Sequence, residues 1–113
     1  MMSREVLDTI VQDLYKSFEE FHKGDAEKLE EMAKGMKVFI TSMLTRDELK
    51  ESIDKMISIT RKESIKNFRE SFDNWSLFND LQLSRLEKDY VIESLVDKIN
   101  QGRATKLLEI LTV

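Results

Sequence analysis

The chain has 113 residues and a net charge of −4, with 18 basic and 22 acidic side chains, one histidine, no cysteine and no proline. Without cysteine there can be no disulfide, thiolate zinc site or cysteine nucleophile. Without a basic excess there is no broad field to attract phosphates.

A chain of this size predicts one domain, 1–113, that buries roughly two-thirds of its unfolded surface without a covalent staple. The missing proline and the abundance of Glu, Lys, Leu, Ile and Met predict long helices. In the first segment, Ser3 is suited to cap a helix. Val6, Leu7, Ile10, Val11, Leu14, Phe18 and Phe21 then recur at steps of three and four, which gathers them on one side. Lys23-Gly24 is expected to end this helix, with Gly24 in the left-handed capping conformation and Asp25 capping the next helix of a hairpin.

The second helix is expected to bury Leu29, Met32, Met36, Phe39, Ile40 and Met43. Thr45-Arg46-Asp47-Glu48 has the form of a capping box and predicts a third helix from about 46 to about 74. Its apolar stripe begins as Leu49, Ile53, Met56, Ile57 and Thr60. Continuing that stripe would use Ser64, Asn67 and Ser71, which are polar. The apolar set moves instead to Ile65, Phe68, Phe72 and Trp75, so the helix must rotate its buried side or change neighbours along its length.

Residues 75–83 read as a compact connection anchored by Trp75, Leu77, Phe78, Leu81 and Leu83. A second capping box, Ser84-Arg85-Leu86-Glu87, opens a fourth helix over about 85–100. Its main stripe is Val91, Ile92, Leu95, Val96 and Ile99, and Leu86 and Tyr90 on the other side predict neighbours on two sides. Asn100-Gln101-Gly102 is expected to end it, leaving a short C-terminal helix with Leu107, Leu108, Ile110 and Leu111. The fold class is therefore all-α: an up-and-down bundle of four main helices plus a short C-terminal helix.

Catalytic constellations are sparse. Glu19-Glu20-Phe21-His22 contains a Glu-x-x-His spacing, but a di-iron site needs a second copy of it and His22 is the sole histidine. One chain cannot build that site, although a dimer could supply the second copy. The three glycines are isolated, so there is no phosphate loop. Neither an enzyme nor a cofactor is expected. No stretch has signal-peptide form or approaches the ~20 apolar residues that span a bilayer, so the expected location is cytoplasmic, and the sequon Asn74-Trp75-Ser76 is then without meaning.

The expected function is a non-catalytic protein–protein interaction module: an adaptor, a regulator or a small subunit of an assembly, dimeric rather than monomeric. Phe68, Phe72, Trp75 and Phe78 hold four of the nine aromatic rings and are the expected anchors, with Leu107, Leu108 and Leu111 as their cover in the same chain or a second copy. A further candidate surface is Met32, Met36, Met43 and Met56, because methionine adapts to varied partners; core filling is the expected use of these four. The alternative function is a nucleic-acid accessory role for Lys55, Lys62, Lys66 and Arg69, which share one sector of the third helix. Glu48, Glu51 and Asp73 lie in the same sector, which favours a solvated, ion-paired face.

Overall fold

The computed structural model describes residues 2–112, except for the side chains of residues 19–22, 25 and 26. Its helices are α1 (Arg4–Ser17), α2 (Glu19–Met43), α3 (Arg46–Asp73), the single-turn α4 (Ser76–Asn79) and α5 (Arg85–Thr112). This is the expected all-α bundle with four long helices, and no strand occurs among the described residues. Helices α3 and α5 have 28 residues each, and the molecule is a rod of 51 × 24 × 23 Å.

The predicted caps form. Ser3 accepts a hydrogen bond from the Val6 amide at the start of α1. Thr45 and Glu48 close a reciprocal capping box on α3. Ser84 and Glu87 do the same on α5, with distances of 2.9 and 3.2 Å. Each box satisfies amides that the first helical turn leaves without partners.

Helices α1, α2 and α3 all pack on α5. Tyr90 donates its hydroxyl to Asp8, Lys98 donates to Gln12, and Tyr15 lies beside Gly102, so α1 runs parallel to α5. Helix α3 runs antiparallel to it, tied by Arg61 to Asp97 and by Arg69 to Asp89. The α5 stripe Val91, Ile92, Leu95, Val96 and Ile99 is buried throughout. Leu86, expected to face a second neighbour, is exposed instead; Tyr90 takes that role against Asp8 and Arg4.

The core is divided into two clusters. One joins Leu7, Val11 and Leu14 of α1 to Ile65 and Phe72 of α3, Phe78 of α4 and the first half of α5. The other joins Ala33 of α2 to Leu49 and Ile53 of α3 and to Leu107 and Leu111 of α5. The predicted phase shift of α3 falls between them: its buried residues are Leu49 and Ile53, then Ile65 and Phe72.

Three boundaries differ from expectation. The first helix ends at Phe18, not at Gly24, because Phe18 is drawn into the aromatic cluster, 6.2 Å from Phe72 and 6.1 Å from Trp75 between ring centroids. Helix α5 runs through Gly102 to Thr112, so no separate C-terminal helix exists. No glycine has a positive φ, so neither Gly24 nor Gly102 forms the left-handed cap. At Gly102 a Cβ would stand 3.7 Å from the Tyr15 hydroxyl, and the glycine serves a close helix approach. The left-handed turn falls on Gln82 (φ 53°), where the chain enters α5.

Two outcomes follow from this packing. Phe78→Ala should cost about 3–5 kcal/mol in urea unfolding, whereas Leu77→Ala, one residue away on the exposed side, should stay within about 0.5 kcal/mol. The Glu87 carboxylate accepts from the Ser84 and Met2 amides, which holds its pKa below the ordinary glutamate value. A depressed carboxylate pKa contributes stability above the unfolded-state value and loses it as pH falls through the folded one. Glu87→Gln should therefore flatten the acid limb of a stability–pH profile.

Candidate functional site

Two of the four expected aromatic anchors lie in the core. Phe72 and Phe78 are only 3% and 1% exposed, and their ring centroids are 4.8 Å apart. Phe68 and Trp75 are half-buried against the same cluster. The physical reason is α4, whose single turn folds Phe78 back beneath Phe72, while Phe18 covers the rings from the α1–α2 joint. The expected cover is also elsewhere: Leu107 and Leu111 are buried, and Leu108 half-buried, in the other cluster with α2 and the start of α3. The aromatic plug and the leucine tail are thus two parts of one chain's core.

The basic sector of α3 is partly neutralised. Arg69 donates to Asp89 at 2.9 Å. Its neighbour Arg61 makes a two-pronged bond to Asp97 at 2.6 and 3.1 Å, which raises the guanidinium pKa. Lys55, Lys62 and Lys66 are exposed, in a sector shared with Glu48, Glu51 and Asp73. The Glu19 and His22 side chains lie outside the described residues. Among the described residues, no cluster of His, Cys, Asp or Glu could hold a metal ion, and no helix is long and apolar enough to cross a membrane.

Exposed apolar surface lies on α2. Met32, Met36, Phe39 and Met43 are 63, 50, 68 and 66% exposed. This corrects the expected stripe in part: Leu29 and Ile40 do turn inward, together with Ala33 and the adjoining Leu44, whereas the three methionines and Phe39 do not. Ala33 lets the helix approach Leu107 and Leu111 closely, which rotates the methionine side outward. The exposed residues follow steps of four, three and four, so they form one continuous strip along the helix. Gly35 flanks it, with open space where a Cβ would stand. Met56, on α3, is also about half exposed.

A second feature lies where α3 changes phase. Ser64, Asn67 and Ser71 face a cleft of about 400 Å³ whose opposite wall is α5. Asn100 and Arg103 stand on that wall beside Val96 and Ile99. Phe18, Phe68 and Phe72 close the end nearest the aromatic cluster. Asn100 is 5% exposed, and its side-chain Nδ2 has no hydrogen-bond partner. A buried amide without a partner is costly in a folded protein. In the sequence, Ser64, Asn67 and Ser71 stand out as a polar break in a stripe, whereas Asn100 reads only as a helix end. The available signal was its spacing: Asn100 lies four residues after Val96, where an apolar residue would continue the buried side.

Replacing Asn100 by leucine removes the unpartnered amide and adds apolar contact with Val96 and Ile99. Asn100→Leu should raise stability by about 1 kcal/mol, read as a higher thermal midpoint, against the destabilisation usual for changing a buried residue. Compared with protein-family models, curated proteins and solved structures, the chain matches none.

Proposed function

We propose that this chain is a non-catalytic protein–protein interaction module, a regulator or small subunit, that buries the outer strip of α2 against a second copy of itself. The observation that carries this reading is the exposure of Met32, Met36, Phe39 and Met43 in an uninterrupted row. Exposed apolar side chains scattered singly are ordinary, whereas a contiguous strip marks a contact surface. Methionine keeps several rotamers and fits irregular partners, and Phe39 adds one rigid anchor.

A second copy suits the strip. No charge falls within it, so two copies meet without like-charge repulsion. The charged residues Glu27, Glu30 and Lys34 lie away from it, with Glu30 and Lys34 paired at 3.2 Å. A two-fold contact places the strip on itself, and an unbranched row of apolar side chains complements its own reverse. Gly35 leaves room for the opposing helix to approach. At roughly 100 Å² per side chain, two strips with their rims approach the ~1,000 Å² at which specific association begins, so the dimer is expected to be weak and concentration-dependent.

Light scattering across a concentration series tests this. Wild type should move from monomer to dimer. Met36→Glu and Phe39→Glu should each hold it monomeric with an unchanged helical circular dichroism signal, whereas Trp75→Ala should lower stability without a specific effect on dimerisation. A wild type that is monomeric at every concentration would defeat the proposal.

A further inference from the structure

We propose that the cleft between α3 and α5 binds an uncharged small molecule with an amide head and an apolar body, the head against Asn100 and the body along Phe72, Val96 and Ile99. The proposal is independent of the α2 surface. A volume of about 400 Å³ lies in the range of small-molecule sites, which are mainly apolar with a few converging polar groups and often lie between helices of a bundle.

Asn100 fixes the head group. It lines the cleft, it is 5% exposed, and its Nδ2 finds no acceptor among the described residues. A buried amide donor without a partner is costly, so such a group calls for an acceptor from outside the chain. A carboxamide holds donors and an acceptor on one flat group and can reverse by a half-turn of its terminal torsion. Its complement is a group of the same kind, an amide that accepts and donates side by side.

The polar groups of the facing helix are neutral as well. Ser64, Asn67 and Ser71 offer hydroxyls and a second carboxamide. Asn67 and Ser71 are exposed and Ser64 is half-buried, which makes a polar path from solvent to the buried amide. Arg103, on the same wall as Asn100, has an interaction of its own within the chain and is not needed for recognition. The three α3 groups and Asn100 carry no full charge to meet a carboxylate or an ammonium, and moving either from water into a half-enclosed apolar cleft is unfavourable. Phe72, Val96 and Ile99 are buried and give the apolar body its contacts.

The site lies where the bundle could have had a continuous seam. Apolar residues at 64, 67 and 71 would have continued the first stripe of α3, whose Leu49 and Ile53 close on Leu107 and Leu111. Three polar residues at those steps, opposite an asparagine at a seam position of α5, keep the two helices from sealing.

The sole tryptophan reports on occupancy, since the Trp75 ring lies 5.7 Å from Phe72 and 6.1 Å from Phe18, both of which line the cleft. Titration with hexanamide should shift Trp75 emission saturably and move the Asn100 side-chain amide resonances in a nitrogen–proton correlation spectrum. Hexanoate, hexylamine and hexane should each bind at least about tenfold more weakly, the first two because they are charged and the last because it has no head group. Asn100→Leu should weaken hexanamide about tenfold and leave hexane unchanged. Ser71→Leu, a change at the exposed mouth, should weaken both and serves if Asn100→Leu does not fold. Absence of saturable hexanamide binding, binding of hexanoate, hexylamine or hexane as tight as that of hexanamide, or undiminished hexanamide binding in both variants would overturn the proposal.

Discussion

The structure depends on covering α5. Val91, Ile92, Leu95 and Val96 lie so deep that no single neighbour could enclose them: α1, α3 and the single turn of α4 share that task, and α2 covers the far end of the helix. Helix α1 covers one side and runs parallel to α5, while α3 runs antiparallel along another. Their joining segments follow from those directions. After α1 the chain must continue to the far end of the rod before α3 can return, and α2 makes that passage while covering Leu107 and Leu111. The apolar residues that this covering does not use are informative where they adjoin one another in a row, as on α2, rather than standing singly like Leu77 and Leu86.

The division of the core into two clusters has one cause. Helix α3 has a single axis but two apolar sectors, Leu49 and Ile53 in its first half and Ile65 and Phe72 in its second. A straight helix with a rotating stripe cannot seal against one straight partner along its whole length. At the crossover one side of the seam becomes polar, and the cleft opens there against Asn100 and Arg103. The cleft is therefore a consequence of how the long helix is patterned, and Asn100 stands on its wall at a position where an apolar residue would have continued the buried side of α5.

Much of this was legible in the sequence where a local rule acts alone. Ser3, Thr45 with Glu48, and Ser84 with Glu87 cap helices as their spacing requires. The α5 stripe and the α3 phase shift were visible because strong periodicity is set by burial on one side. Glycine was misleading: Gly24 and Gly102 resemble helix ends, but packing overrode them, since Phe18 had a better place to turn and Tyr15 needed a near approach at Gly102. The orientation of α2 was ambiguous in principle. Its apolar residues cover a wide arc, and only the fit of small Ala33 against Leu107 and Leu111 decides which part of the arc turns inward. Single-helix periodicity contains no information about that neighbour.

The choice of side chains separates the two kinds of apolar surface. Inside, where one arrangement must win, the chain uses Phe72, Trp75 and Phe78, whose rings have few rotamers and interlock at 4.8–6.4 Å. Outside, on α2, it uses Met32, Met36 and Met43, which lose little by remaining mobile in water and can settle against a surface they meet later. Exchanging the two sets would leave hydropathy almost unchanged, yet it would give a loosely specified core and a rigid, adhesive exterior. The placement of stiff aromatics within and pliant methionines without is thus a constraint on specificity rather than on hydrophobicity. It explains why the most aromatic stretch of the chain belongs to the fold, and why the exposed apolar strip lies on a helix with only one described aromatic side chain, Phe39.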